Sequence, residues 1–168
     1  VALLRRAGVA CGFAVDAVPP RMADGRPVSS TRVREALASG QMEEARTLLG
    51  RDYRISGRVI AGSKLGRTLG FRTANIRLHR RVSPVAGIFA VRVSGAGLDR
   101  HPGVASVGTR PTVGGTEWLL ESHLFDFDGD LYRKRLAVDF IARLREEVQF
   151  PDVEAMTAKM HEDARRAR

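Results

Sequence analysis

Cysteine is nearly missing from this 168-residue chain: Cys11 stands alone. A lone cysteine excludes an internal disulfide and suits a reducing cytoplasm; the simplest role for Cys11 is that of a small buried hydrophobe. Long apolar runs are missing too. None approaches the roughly 20 residues that span a bilayer, and the opening "VALLRRAGVACGFAV" lacks a basic stretch leading into a long apolar core, which argues against a secretory leader. The chain starts at Val1 rather than Met, as expected of a piece of something longer. Aromatic residues are sparse at 6%, so there is little material for a dense base-stacking platform. Hydrophobic residues amount to 43%, enough for a real core and against global disorder. The length fits one domain, or one domain plus part of another.

Lysine is scarce while arginine is abundant: Lys64, Lys134 and Lys159 are the three lysines among 28 basic residues, and the net charge is +9. The excess is uneven. Residues 1–50 hold 7 basic and 5 acidic side chains, residues 51–140 hold 15 and 8, and residues 141–168 hold 6 of each. A basic middle implies an anionic partner such as nucleotide phosphate, nucleic acid or a membrane surface, unless it only reflects a bias towards arginine.

Local pattern divides the chain near Gly50. Before it, a short helix is followed by a strand in "GFAVDAVPP", then by a polar loop, "RMADGRPV". "SSTRVREALASG" reads as a helix capped by Ser29 or Ser30, with Val33, Ala36 and Leu37 on one face. "QMEEARTLLG" reads as another, with Met42, Ala45, Leu48 and Leu49 inward and Gly50 as terminator. After it come six short segments typical of strands: "YRISGRVI", "TANIRL", "GIFAVRVSG", "GVASVG", "WLLESHLFDF" and "RLAVDFIARL". Asp128-Gly129 is a hairpin signal. Six strands on short connections predict a closed antiparallel, Greek-key-like barrel. A last helix starts at Pro151-Asp152, with Val153, Met156, Met160 and Ala164 as its apolar stripe.

One stretch breaks this pattern. In "GSKLGRTLGFRTAN", Gly62, Gly66 and Gly70 recur every four residues, with Lys64 and Arg67 between them. Glycines let backbone N–H groups approach a phosphate; the same run also suits a plain barrel hairpin. It is no P-loop, because a strand follows where that pattern needs a helix. Thr73 and Asn75, two apart in an extended segment, share a face. Their oxygens suit Mg²⁺ shared with substrate phosphates, or else they bond to neighbouring backbone.

"GRTLGFRTANI" resembles the signature of the riboflavin kinase family, in which glycine, phenylalanine or valine, proline, threonine, alanine and asparagine follow one another. The resemblance extends through "YRISGRVIAGSKLGRTLG", "RRVSPVAGIFAVRV", "HPGVASVGTRPTVGG" and "LESHLFDFDGDLYRKRLAVDFIARLREEVQF", and so covers residues 51–168. It implies a six-stranded antiparallel barrel with a C-terminal helix that transfers the γ-phosphoryl group of ATP to riboflavin, giving FMN, with Mg²⁺. It places Thr73 and Asn75 as ligands of metal and nucleotide phosphate, and Gly66 and Arg67 in the phosphate loop. Glu121 becomes the general base, and Arg145, Glu147 and Phe150 fall in the loop that closes on the flavin. His123 is expected to be structural, Phe125 and Phe127 to be core, and Trp118 either a stacking partner or a loop anchor. Two positions depart from the family: Arg72 replaces proline and Arg133 replaces glycine. Strict alternation would aim Arg72 away from Thr73 and Asn75.

"VSSTRVREAL" is similar to a different signature, that of the FMN adenylyltransferase (FAD synthetase) module fused ahead of the kinase in bacterial bifunctional enzymes. Ser30, Thr31, Arg32 and Arg34 match its phosphate motif. The nucleotide-binding histidine motif of that module has no counterpart, since His79, His101, His123 and His161 all lie downstream. Residues 1–50 are therefore expected to be the α-helical tail of an α/β nucleotidyltransferase domain that does not itself make FAD, with residues 51–168 the kinase. The expected small molecules are ATP, riboflavin and FMN, without nucleic acid or membrane; the oligomeric state is left open. The rival readings are a basic nucleic-acid-binding barrel and a kinase fold without activity.

Overall fold

The computed structural model describes residues 1–62, 70–112 and 115–168. Lys64, Gly66 and Arg67 lie outside the described residues. In chain order the elements are α1 (Ala2–Cys11), β1 (Met22–Ala23), β2 (Arg26–Pro27), α2 (Ser30–Ala38), α3 (Met42–Leu49), β3 (Tyr53–Ile60), β4 (Ala74–Arg77), β5 (Gly87–Gly95), β6 (Leu98–Thr112), β7 (Gly115–Leu124), β8 (Arg135–Arg145) and α4 (Val153–Ala167). The six longer strands close into an antiparallel barrel in the order β3-β4-β7-β6-β5-β8. Among the described residues, no helix is long and apolar enough to cross a membrane.

Alternation explains why these strands close. Val59, Ile76, Leu120 and Val107 stand opposite one another across β3, β4, β7 and β6, and all four are buried. Phe89, Val91, Val93, Leu136, Val138 and Phe140 fill the same interior from β5 and β8. The N-terminal helices share this core. Ala36, Leu37, Met42, Ala45 and Leu48 belong to one cluster with the barrel, so packing continues across Gly50. Gly50 ends α3 at a φ of 70°, a left-handed conformation that glycine adopts without a Cβ clash. Ser29 caps α2 by accepting from the Arg32 amide at 3.2 Å, and Asp152 caps α4 by accepting from the Ala155 amide at 2.7 Å.

Buried ion pairs tie the layers. Asp139 on β8 is 1% exposed and accepts from Arg54 Nε and Nη2 at 2.6 and 2.7 Å and from Arg100 Nη1 at 3.3 Å. This contact pushes the Arg54 guanidinium above its ordinary value, chiefly through the Asp139 hydrogen bonds. On the surface, Arg168 closes on Asp126 at 2.8 Å and holds that carboxyl below its ordinary value through their hydrogen bond.

Several expectations need correction. Residues 13–21 form no strand; α1 stops at Gly12, whose φ is 75°. Cys11 is exposed, because α1 buries only Gly8. The loop "RMADGRPV" contains a hairpin, with Asp24 and Gly25 both at positive φ, the geometry that a two-residue turn requires. Asp128-Gly129 closes no hairpin: β7 pairs with β4 and β6, while β8 pairs with β3 and β5, so residues 125–134 cross the end of the barrel. Of the expected stripe on α4, Val153 is exposed, whereas Ala164, together with Ala167, packs against Ile88, Val104 and Phe125. Phe125 is core there, whereas Phe127 is only partly buried against the main core.

The crossing segment turns at Tyr132-Arg133. The Arg133 amide donates to Val59 at 3.0 Å, the Lys134 amide donates to Leu131 at 3.0 Å, and Arg133 has a φ of 62°. The glycine expected at this position would suit that φ, and arginine bears a Cβ penalty of about 1–2 kcal/mol there. Arg133→Gly is therefore expected to raise stability by about 0.5–1 kcal/mol after the extra entropy of the unfolded glycine chain is subtracted. The urea midpoint should rise with the slope unchanged; a lower midpoint would mean that the Arg133 side chain contributes more than its backbone strain costs.

Candidate functional site

The register of β4 against β7 builds the site. Asn75 stands opposite Glu121, and Glu121 stands opposite Ser106 on β6. Their neighbours Ile76, Leu120 and Val107 point into the barrel, so Asn75, Glu121 and Ser106 face outward. A polar row on the outer wall is therefore the by-product of an apolar row on the inner one.

Two clefts meet on this row. The first, of about 620 Å³, runs between the end of β3 and the crossing segment; it is lined by Gly62, Arg72, Thr73, Asn75, Asp128 and Tyr132, among others. The second, of about 440 Å³, lies between the sheet and α4. It holds Glu121, Arg145, Glu147 and Phe150 with the apolar Ile88, Val104, Met156 and Met160. Both volumes fall in the range of small-molecule sites. Thr73 is the residue common to the two linings. The first cleft sits at the barrel's end; the second lies against the outer wall, not at the mouth.

Asn75 is 5% exposed, and its Oδ1 is buried with no hydrogen-bond partner among the described residues. Such an atom carries a desolvation cost of about 1–3 kcal/mol unless a ligand satisfies it. Gly62 packs directly on the Asn75 amide; a Cβ at residue 62 would overlap it. Gly70 has a φ of 78° with open space around it. Arg72 departs from the expected alternation. Residues 71–73 precede β4 and are not strand, and Arg72 lines the same cleft as Thr73 and Asn75 and pairs with Asp128.

In the second cleft, Glu121 keeps 22% of its side chain exposed and accepts from Arg110 Nη2 at 3.0 Å. Arg110 also reaches Glu147, with Nη1 at 3.6 Å from Oε1. Glu147 lies over the bare backbone of Gly108, where any Cβ would collide with its carboxylate. Arg145 is fixed from three sides. Its Nε and Nη2 donate to Asp163 on α4 at 3.0 and 2.7 Å, its Nη1 donates to the Glu146 carbonyl at 2.9 Å, and its guanidinium lies 5.6 Å from the centre of the Phe150 ring. His123 donates from Nδ1 to the Arg72 carbonyl at 2.9 Å and sits 4.8 Å from the Phe71 ring. Trp118 donates to the Arg81 carbonyl at 3.3 Å and packs on the core, away from both clefts.

Ser30, Thr31, Arg32 and Arg34 lie apart from these clefts, on α2. The Arg32 guanidinium turns into the β1–β2 hairpin, where Nη1 reaches the carbonyls of Ala23, Arg26 and Pro27 at 3.3–3.4 Å and Nη2 lies 3.7 Å from Glu44. The other three are exposed.

A family model described as flavokinase, riboflavin kinase, matches residues 49–168. The bifunctional riboflavin kinase/FMN adenylyltransferase of Haemophilus influenzae is 44% identical over 167 residues, covering 99% of this chain and 54% of the relative. That of Pseudomonas fluorescens is 48% identical over 166 residues, covering 98% and 53%. The chain thus spans about half the length of the curated relatives it matches. A solved structure described as a macrolide-efflux protein from Streptococcus pneumoniae shares the fold, with a TM-score of 0.76 at 34% identity over 87% of this chain and 48% of that one.

Sequence reading did not single out Arg110, Asp163 or Tyr132. Arg110 lies inside "GTRPT", next to a strand segment that reads as ordinary barrel, and only the pairing of β6 with β7 brings it to Glu121. Asp163 carried one signal, an acidic residue adjoining the apolar stripe of α4. The contact between Gly62 and Asn75 yields a direct test. Gly62→Ala is expected to lower stability by about 1–3 kcal/mol through overpacking, read as a drop in urea midpoint. An unchanged midpoint would mean that the segment shifts freely and does not hold Asn75.

Proposed function

The chain belongs to the riboflavin kinase family, and from that premise we propose that it phosphorylates riboflavin with ATP, the nucleotide in the first cleft and the flavin in the second. The observation that carries this reading is the meeting of the clefts at Thr73, with Asn75 directly opposite Glu121. A donor and an acceptor bound end to end would react at that point.

The flavin ring is apolar and flat, and Ile88, Val104, Met156, Met160 and Phe150 give the second cleft matching walls. With the ribityl chain directed towards Thr73, its terminal hydroxyl comes to Glu121. The Glu121 carboxylate accepts the hydroxyl proton as the oxygen attacks the γ-phosphorus. The bond from that phosphorus to the β–γ bridging oxygen breaks, and ADP leaves. Base assistance of this kind contributes a factor of about 10²–10⁴; the rest is positioning and charge neutralisation. Arg110 orients Glu121 and, through Glu147, links it to the segment after β8. Arg145, locked by Asp163, sets the height of Phe150 over the flavin.

Mg²⁺ suits the residues present, because the orphaned Oδ1 of Asn75 and the Thr73 hydroxyl offer the hard oxygen donors it prefers. When bound, it supplies neutralisation of phosphate charge. Gly62 and Gly70, with Lys64, Gly66 and Arg67, are proposed to complete the phosphate site.

Residues 1–50 are proposed to be the end of an FMN adenylyltransferase module, with residues 51–168 the kinase. Arg32 is already engaged by carbonyls and carboxylates, which supports a bracing role rather than FAD synthesis by these 168 residues. ATP dependence and a single exposed thiol suit a cytoplasmic setting. The nucleic-acid reading is not favoured: arginines 54, 77 and 100 of the basic middle are held in ion pairs.

The chain should convert riboflavin to FMN in the presence of ATP and Mg²⁺, with the two flavins separated by chromatography. Glu121→Gln should cut kcat by about 10²-fold or more while ATP affinity changes little; near-normal turnover would remove Glu121 as base. Thr73→Ala should shift the Mg²⁺ titration of activity to concentrations about tenfold higher, and an identical titration curve would remove Thr73 from the metal site.

A further inference from the structure

The described lining of the first cleft is short of positive charge. Two carboxylates, Asp128 and Asp130, border it, and among the described residues Arg72 is the one cation in its lining. A polyphosphate entering there meets these carboxylates, and Arg72, where free, is the described cation that would answer it. In the structure it is not free: its guanidinium pairs with Asp128. Yet this pair is held loosely. The Arg72 and Asp128 side chains are 56% and 87% exposed, a setting in which ion pairs contribute little and rearrange easily.

The backbone of Arg72 is anchored while its side chain is largely exposed. Its carbonyl accepts from His123, and the ring of its neighbour Phe71 is wedged between those of His123 and His161. The guanidinium therefore extends from an anchored backbone, one residue before Thr73. Arginine binds phosphate through a planar fork of donors, and a triphosphate presents several charges where Asp128 presents one.

We propose that Arg72 is a nucleotide-polyphosphate ligand parked on Asp128, which it exchanges for the phosphates when the nucleotide enters. The inference rests on the first cleft being the nucleotide site. It assigns Asp128 the part of a competing anion: this carboxylate screens the cleft when it is empty and is released to solvent when the cleft fills. In this chain a mobile charge thus occupies the position where the family resemblance leads one to expect a rigid proline.

The test is calorimetric binding to the 168-residue chain with MgATP, with adenosine and with inorganic tripolyphosphate as probes. Arg72→Gln should weaken MgATP and tripolyphosphate by about tenfold while leaving adenosine within about twofold. Arg72→Lys should recover part of the loss, and Asp128→Asn should tighten MgATP a few-fold by removing the competitor. Equal MgATP affinity in wild type and Arg72→Gln would overturn the inference. So would equal losses for adenosine and MgATP, which would mark a packing effect. If the wild-type chain bound no nucleotide, this inference and the nucleotide assignment would both fall. If it bound MgATP through Arg72 yet phosphorylated no riboflavin, the inference would stand and the kinase reading would fall.

Discussion

Everything at the site depends on the register between β4 and β7. Leu120 and Ile76 oppose each other inside the barrel, and this apolar pairing holds Asn75 opposite Glu121 outside it. A shift by one residue would bury the polar row and expose the apolar one, so the hydrophobic core excludes the inactive register. The force that aligns the polar side chains is the burial of their neighbours. Ser106 joins the row for the same reason, because Val107 beside it is buried against Leu120.

Electrostatics then sorts the arginines into distinct tasks. Arg54 and Arg100 converge on the buried Asp139 and hold β3, β6 and β8 together. Arg145 joins β8 to α4 through Asp163, a carboxylate that is 2% exposed. Removing Asp163 would leave the largely buried Arg145 without its partner, which is where a buried pair becomes costly. Arg110 and Arg72 sit at the clefts with partners in partial contact with water, and these contacts can be remade. A net charge of +9 therefore says little about partners; what matters is which guanidinium groups pair with buried carboxylates and which do not.

Much of this was legible in the sequence where one physical signal dominated. Alternating apolar residues located "YRISGRVI" and "GIFAVRVSG" as strands to their terminal residues. Thr73 and Asn75 stood out because polar oxygens are unusual at the start of a buried strand. The sequence was less informative where a local signal needed a tertiary context. Asp24-Gly25 and Asp128-Gly129 carry the same turn chemistry, yet only the first joins two strands that pair. Arg110 and Asp163 act across strand and helix contacts that no local window contains. Cys11 read as a small buried hydrophobe from its residue type alone, but α1 buries only Gly8, and Leu3, Leu4 and Val9 remain exposed.

The lining shared at Thr73 has a kinetic corollary. Under the proposed assignment, two chambers that abut through one small side chain would let both reactants reside together. The phosphoryl group would then pass directly between neighbours, with no need for the protein to carry it covalently. Such an arrangement also makes the partition itself sensitive to size. A bulkier residue in place of that threonine would push the two occupants apart and lengthen the jump between them, even with each chamber still full.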